Sequence, residues 1–245
     1  MPAGGAPALL LLAHGSRDAR SVVATRALAR AVAAARPELA VRHSFLDLSF
    51  PRTGPVLAGL AADGHRDVVA VPLLLTAAYH SRVDVPAVLA EAAVPGASVR
   101  AAGVLGPDPR LLDALVRRLA AEPAVAFDAL VLAAAGSSDP RAVATVEGLA
   151  AALGERYGVP ARAGFASAAT PVDETVRRLR DTGAERVAVA SYFLAPGLLH
   201  DRVIAAAKRA GAVAVAPPLV AVPELVDVVL DRYRAAVPAT VGAAA

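Results

Sequence analysis

Two histidines and one aspartate stand just after predicted strands in the first half of the chain. His14 and Asp47 each follow a strand directly, and His80 lies a few residues beyond a third one. The carboxyl ends of parallel strands share one edge of a sheet, where ligand crevices form, so we expect the three side chains to converge. Two imidazoles and a carboxylate can hold a divalent first-row metal and leave coordination positions open. The sequence therefore predicts a metal site at this edge.

Each of these residues also has a simpler interpretation when it is taken alone. A histidine after a strand can be an ordinary loop residue, and Asp47 can form an Asx-turn. The expected convergence on one edge favours the metal site over these alternatives. The other two histidines of this half, His43 and His65, are predicted to lie on the surface at the opposite end of the sheet.

The elements that must position these residues alternate regularly along the chain. Apolar strands separated by helical segments indicate parallel sheets covered on both faces, which is a doubly wound α/β fold. The predicted strands are Ala8–Ala13, Val41–Leu46, Asp67–Leu75, Ser98–Ala102, Asp128–Ala134, Ala161–Ala166, Arg186–Leu194 and Ala212–Ala216. The predicted helices include Ala19–Ala35, Pro107–Ala121, Arg141–Tyr157, Pro171–Thr182 and Pro223–Ala236.

The second half of the chain repeats the first. Four segments of the first half recur in the same order about 120 residues later, which is a normal domain size. In this repeat His14 corresponds to Ala135 and Asp47 to Ser167, and His200 corresponds to His80. We therefore predict two similar lobes by internal duplication: residues 1–122 carry the metal site, and residues 123–245 close the cleft.

Composition excludes several classes of function. The chain has 245 residues, is 56% hydrophobic and can bury a core, and it has no cysteine, which excludes disulfides, thiolate metal sites and cysteine nucleophiles. Its net charge of +3 is spread along the chain and only 4% of residues are aromatic, so we expect no nucleic-acid partner. No apolar run reaches the roughly 18 residues of a membrane helix, so we expect no membrane contact and a cytoplasmic protein.

Three motifs of the first lobe resemble those of the sirohydrochlorin chelatases, the class II chelatases of siroheme and cobalamin synthesis. The motifs are Leu11-Leu12-Ala13-His14-Gly15-Ser16-Arg17-Asp18, Phe45-Leu46-Asp47-Leu48, and Val71-Pro72-Leu73-Leu74-Leu75 with His80 beyond it. The resemblance covers the whole first lobe, and the second lobe is similar to the duplicated half of the longer bacterial members.

The resemblance implies a lyase-type metal chelatase that inserts Fe2+ or Co2+ into a metal-free tetrapyrrole. Within it, His14 and His80 bind the metal and assist deprotonation of the pyrrole nitrogens. Asp47 stands where the family usually has glutamate, which leaves its direct contact with the metal open. The divalent metal is a substrate, and no further cofactor is implied.

Sirohydrochlorin carries eight carboxylates, so the cleft is expected to supply cationic and hydrogen-bond donors. The simpler interpretations are surface charges for the arginines, helix caps for the serines and a structural role for the histidine. The candidate substrate-binding residues are Ser16, Arg17, Arg82, Ser137, Ser138, His200 and Arg202.

Rival functions remain open at this point. The loop at His14 can bind phosphate in a phosphoryl-transfer enzyme, although such an enzyme needs more converging basic groups. A non-enzymatic carrier of metal or tetrapyrrole needs the same ligands as a chelatase. A metal-dependent hydrolase is disfavoured because no His-Glu-x-x-His motif occurs.

The C-terminal residues Pro238–Gly242 form neither a histidine-rich nor a cysteine-bearing tail of the kind that would handle cobalt. Iron insertion for siroheme is therefore favoured over cobalt insertion for cobalamin. We expect a monomer, since two fused lobes can form a cleft within one chain.

Overall fold

The computed structural model describes residues 6–77, 80–121, 126–167 and 170–238, and for residues 80 and 81 it describes the backbone alone. Within these residues, eight strands alternate with eight α-helices. A π-helical turn, His80–Asp84, leads into the third helix. The strands are β1 Ala8–Ala13, β2 Val41–Phe45, β3 Asp67–Pro72, β4 Ser98–Ala101, β5 Ala129–Ala134, β6 Ala161–Phe165, β7 Val187–Tyr192 and β8 Ala214–Val215. The helices are α1 Ala19–Ala35, α2 Thr53–Ala62, α3 Val85–Glu91, α4 Pro109–Ala120, α5 Pro140–Tyr157, α6 Val172–Asp181, α7 Leu198–Arg209 and α8 Pro223–Ala236.

The strands form two four-stranded parallel sheets with the same topology. The first lobe has the order β2-β1-β3-β4 and the second lobe the order β6-β5-β7-β8. Ala13 lies opposite Phe45, and Leu12 lies opposite Pro72, so the first three strands end at one edge. The doubly wound α/β fold with two similar lobes is therefore confirmed. Each predicted strand is present; β1 has the predicted bounds, and the other strands are shorter than predicted.

Helices cover both faces of each sheet, which is why the central strands are apolar without alternation. All six residues of β1 and all six of β5 are buried. Leu9 and Leu11 face an interior that both lobes share, whereas Leu10 faces a smaller outer cluster with Leu57 and Leu60 of α2. Burial on both faces matches the continuous hydrophobic runs expected of parallel strands.

The last helix of each half packs on the sheet of the other half. α4 covers β7 and contacts α5, whereas α8 covers β3 and contacts α1. One hydrophobic core therefore joins the inner faces of both sheets, and it includes the fully buried Leu115 of α4 and Leu225 of α8. The predicted boundary between residues 122 and 123 lies outside the described residues.

Helices α4 and α8 also contact each other and run antiparallel. Arg110 near the start of α4 pairs with Asp231 near the end of α8, and Arg117 near the end of α4 pairs with Glu224 near the start of α8. One helix supplies both cations and the other both anions, so the charges on the two helices are complementary.

Helix starts follow local capping. Asp18 and Asp139 cap α1 and α5 through the backbone N–H groups of Arg20 and Arg141. The helix predicted to begin at Pro107 begins two residues later, because Asp108 caps it there. Helices α2, α3 and α7 are additional to the predicted set, and the first two carry glycine or proline, which weakens a helical pattern. Among the helices in the described part of the chain, none combines the length and apolar character of a bilayer-spanning segment.

Replacing Leu115 by alanine tests the shared core. The leucine is fully buried, so its truncation is expected to lower the free energy of unfolding by about 2–5 kcal/mol. Because α4 packs on β7 of the second sheet, hydrogen exchange should quicken in β5 and β7. Val23→Ala, on the exposed face of α1, is the control and should change the unfolding free energy by less than about 0.5 kcal/mol in urea denaturation. Faster hydrogen exchange in β1 alone would contradict the packing of α4 on the second sheet.

Candidate functional site

A cleft of about 1080 Å³ lies between the lobes at the carboxyl edge of their sheets. The loops after β1, β3, β5 and β7 contribute to its walls, together with the start of α7. Seven of the ten predicted site residues line it: His14, Ser16, Arg17, Arg82, Ser137, Ser138 and His200. Asp47 and Arg202 do not line the cleft, and the side chain of His80 lies outside the described part of the chain.

Tight contact between two loops holds His14 in one wall of the cleft. Gly15 has a φ of 98°, and a Cβ at this position would lie 1.7 Å from the carbonyl oxygen of Asp47. The backbone N–H of Asp47 donates to the carbonyl of His14 at 2.9 Å. Ser49 Oγ donates to the carbonyl of Ser16 at 2.7 Å and accepts from its N–H at 3.0 Å. Only glycine fits at position 15, which keeps His14 and Asp47 on adjacent loops.

The same contact turns Leu48 into the cleft. The N–H of Ser49 donates to the carbonyl of Asp47 at 2.7 Å, and Leu48 between them has a φ of 60°. This is a γ-turn with a positive φ at its centre, a strained conformation that the interlocked loops hold in place. Leu48 is 44% exposed and lines the cleft. Sequence reasoning did not identify it, because its exposure depends on this turn.

The carboxylate of Asp47 is engaged with its own loop. Oδ1 accepts from Arg52 Nη1 at 2.8 Å and from the N–H of Leu48 at 2.7 Å. The Arg52 guanidinium, the Leu48 N–H and the nearby His14 together hold the pKa of Asp47 below its usual value. Arg52 is a further residue that sequence reasoning missed, since no spacing pattern pairs it with Asp47.

The predicted metal set stays a prediction. Within the residues that the structure describes, no three side chains of metal-ligating type come together. The side chain of His80 lies outside them, so the set of His14, His80 and Asp47 is not tested by this observation. The backbone places His80 at the start of the π-helical turn, a type of element that frequently occurs at functional sites.

The second lobe repeats the loop but not its side chains. Gly136 has a φ of 92°, and a Cβ there would lie 1.7 Å from the carbonyl oxygen of Ser167. The hydroxyl of Ser137 accepts from the N–H of Asp139 at 3.1 Å, as Ser16 does from Asp18 in the first lobe. The two serines therefore support helix starts, and each hydroxyl can still donate its hydrogen into the cleft.

His200 is built into the second lobe as an anchor for α7. It is 4% exposed, and its Nε2 lies 3.1 Å from Ser191 Oγ. Since Ser191 donates its hydrogen to the carbonyl of Ala216 at 2.6 Å, His200 Nε2–H must be the donor to Ser191. In the first lobe Pro72 stands at the position of Ser191 and has no hydroxyl, so it cannot make this hydrogen bond.

Burial lowers the pKa of His200, the charge of Asp201 raises it by less, and Arg20 lowers it further. Protonation would place a charge on Nδ1, which is buried and has no hydrogen-bond partner among the described residues. Of the other histidines, His65 and His43 are both partly exposed. His43 is more enclosed than the predicted surface position, because its ring lies nearly perpendicular to that of Phe45 and its Nε2 atom is buried.

Four exposed apolar side chains line the cleft beside the predicted polar residues. Two come from the first lobe and two from the start of α7: Leu48, Val83, Leu198 and Leu199, which are 44%, 44%, 60% and 39% exposed. Clustered exposed apolar groups mark binding surfaces rather than solvated ones. The sequence offers no signal for them, because isolated apolar residues in predicted loops and helices are usually buried.

Comparison with known proteins gives consistent matches. The CbiX family model matches the chain twice, over residues 8–122 and 129–236. A protein of Priestia megaterium named sirohydrochlorin cobaltochelatase is 28% identical over 171 residues. That alignment covers 66% of this chain and 56% of the relative, so the chain spans little more than half of the relative's length.

Two solved structures share the fold over nearly the whole chain. SirB from Bacillus subtilis with Fe3+ has a TM-score of 0.81 and 23% identity, and the match covers 95% of this chain and 96% of that one. The sirohydrochlorin chelatase SirB from Bacillus subtilis subspecies spizizenii in complex with cobalt has a TM-score of 0.74 and 22% identity, with 95% of each chain covered.

Gly15→Ala tests the contact that positions His14. Gly64→Ala is its matched control, because Gly64 also has a positive φ, 90°, but a Cβ there meets open space. The control should lower the unfolding free energy by the cost of a left-handed residue, about 1–2 kcal/mol. Gly15→Ala should lower it by more, since the added carbon also collides with the Asp47 carbonyl. Equal losses in urea denaturation would contradict the close approach of the two loops.

The buried His200 predicts a dependence of stability on pH. Its pKa is lowered in the folded state, so its contribution is complete above the unfolded value of about 6.5 and is lost as pH falls below that value toward the folded pKa. His200→Asn removes the titrating group. Urea denaturation between about pH 7 and pH 5 should then give a shallower fall in the unfolding free energy than the wild type. The unfolding free energy of the variant should still fall somewhat with decreasing pH, because burial also lowers the pKa of His43. Identical slopes would rule out this role of His200.

Proposed function

Because the chain belongs to the CbiX family, we propose that it is a sirohydrochlorin chelatase, a lyase-type enzyme that inserts a divalent metal into a polycarboxylate tetrapyrrole. The observation that carries the proposal is the cleft between the lobes. One wall holds the His14 loop, and the lining combines exposed apolar side chains with arginines and serines. This combination suits a flat ligand with apolar faces and anionic edges.

The proposed fit follows from the chemistry of the cleft. A tetrapyrrole ring is apolar on both faces, and Leu48 of the first lobe and Leu198 of the second offer apolar contacts from opposite sides. The peripheral carboxylates need charge-assisted hydrogen bonds, which Arg17 and Arg82 can supply. The hydroxyls of Ser16, Ser137 and Ser138 are further donors. Arg202 is exposed on α7 away from the lining, so no contact supports its predicted role.

Metallation requires two pyrrole N–H protons to leave while a metal sheds ligands. Imidazole suits both tasks, because its ordinary pKa of about 6.5 lets it bind a metal or accept a proton near neutral pH. We assign His14 and His80 these roles, with Asp47 as the third ligand. Both hydrogen bonds to the Asp47 carboxylate go to Oδ1, so Oδ2 is the atom through which it would bind a metal.

The proposed metal is Fe2+, giving siroheme, and Co2+ insertion is the alternative. Imidazole and carboxylate donors suit both ions, and their order of affinity does not choose between them. We also infer a monomer, because one chain supplies both walls of the cleft. The cytoplasmic location stays a prediction from the sequence. Direct competition between the two ions in a turnover assay decides the metal.

The test is a turnover assay of the purified protein with sirohydrochlorin and either metal ion, in which the change in absorbance reports metallation. His14→Ala and His80→Ala should each lower the rate by about 10²–10⁴-fold, the usual contribution of a positioned proton-transfer group. His65→Ala is the control, since this histidine precedes β3 at the opposite end of the sheet and does not line the cleft. Full activity in either test variant would refute the site. Metallation limited to one equivalent would indicate a carrier instead.

A further inference from the structure

Two ion pairs bridge the cleft from lobe to lobe. Arg20, in the first turn of α1, pairs with Asp201 of α7 through Nη2 and Oδ2 at 2.5 Å and through Nη1 and Oδ1 at 3.3 Å. Arg82, in the π-helical turn, pairs with Asp139, the N-cap of α5. Each pair joins a residue of the first lobe to a residue of the second.

The two bridges occupy corresponding places in the repeat. In each, the start of a lobe's first long helix meets the segment that follows the third strand of the other lobe. The first lobe supplies both arginines and the second lobe both aspartates. The bridges therefore lie at two related positions on the rim, while the shared core and the hydrogen bond from Tyr192 Oη to the Leu75 carbonyl hold the floor of the cleft.

These bridges are exposed and therefore weak. The side chains of Arg20 and Asp201 are 53% and 44% exposed, and those of Arg82 and Asp139 are 55% and 18% exposed. An exposed pair of this kind shifts an equilibrium by roughly fivefold at most, and salt screens it. Two of them can favour a closed rim without preventing it from opening.

The arginines can exchange one carboxylate for another. A guanidinium binds any carboxylate with the same planar pair of hydrogen bonds. A ligand carboxylate inside the cleft is screened less by water and salt than the aspartates of the rim, so replacing an aspartate with it gives a net gain in binding. Arg82 lines the cleft, and Arg20 lies three residues beyond Arg17 of the lining. Arg20 also keeps its partner Asp18 in its own lobe at 2.5 Å, so it stays at the rim when Asp201 leaves.

We propose that Arg20 and Arg82 hold the cleft closed on Asp201 and Asp139 and then exchange these aspartates for carboxylates of the incoming ligand. They would thereby favour polyanionic substrates. The identity of that ligand, a tetrapyrrole polycarboxylate, rests on the proposed function. The bridging of the rim does not.

Distance measurements on the full chain test the bridges. The protein has no cysteine, so Val23→Cys on α1 and Ala144→Cys on α5 accept spin labels at these two sites alone. Adding Arg20→Ala and Arg82→Ala should shift the distance distribution to longer values. Raising the salt to about 1 M should lengthen the distances in the parent and have little effect in the double variant. Arg177→Ala, which removes a similarly exposed pair within α6, is the control and should leave the distribution unchanged. Unchanged distances in the double variant would overturn the bridging.

Binding of metal-free sirohydrochlorin, measured without metal, tests the exchange. Arg20→Ala should weaken binding about tenfold by removing a charge-assisted bond. Asp201→Asn should tighten it by up to roughly fivefold, because the competing carboxylate is gone. If the Arg20–Asp201 pair had a purely structural role, both variants would bind sirohydrochlorin more weakly. That outcome, or unchanged affinity in either variant, would overturn the proposed exchange of carboxylates. If both affinity changes are observed but the protein shows no turnover, the chelatase proposal alone is refuted. Absence of any sirohydrochlorin binding would refute both the exchange and the proposed function, and leave the bridging to the distance measurements.

Discussion

Two helices that pack on the sheet of the opposite lobe set the geometry of this molecule. α4 leaves the first half of the chain to cover the second sheet, and α8 returns to cover the first. Because each sheet is completed by a helix from the other half, separating the lobes would expose leucines such as Leu115 and Leu225 to water. The cleft therefore has a floor fixed by buried apolar contacts, whereas the ion pairs found at its rim in the described part of the chain are partly exposed.

Within that frame the repeat shows which features the fold needs and which belong to one lobe. Both halves place a glycine with positive φ against the carbonyl of a neighbouring loop, at Gly15 and at Gly136. This contact is a backbone requirement and recurs. The side chains around it differ, since the second lobe has Ala135 where the first has His14, and Ser191 ties His200 into the core where Pro72 cannot. The repeated scaffold thus offers one candidate metal-handling wall and one closing wall.

Charge in the cleft also differs between the lobes, because the first lobe supplies Arg17 and Arg82 to the lining and the second lobe supplies Asp139. Arginine supplies all but one of the chain's cations, and guanidinium groups recognise carboxylates in a planar, two-point geometry. Of the arginines in the lining, Arg82 is paired with Asp139 of the second lobe. The proposed anionic ligand would therefore meet Arg17 and Arg82 beside exposed apolar side chains in the same cleft.

The sequence by itself determined the parallel strands, most of the helix starts and the duplicated organisation, because these depend on residues close to each other in the chain. The apolar runs predict β1 and β5, and Asp18 and Asp139 mark the starts of α1 and α5. Most of the predicted cleft residues also follow from their place at strand ends. Only the tertiary structure decided that α4 and α8 each pack on the sheet of the opposite lobe. It also decided the exposure of Leu48, the pairing of Asp47 with Arg52 and the anchoring of His200. Each of these depends on segments brought together by packing or by a strained turn, and no local pattern encodes which distant partner a side chain will meet.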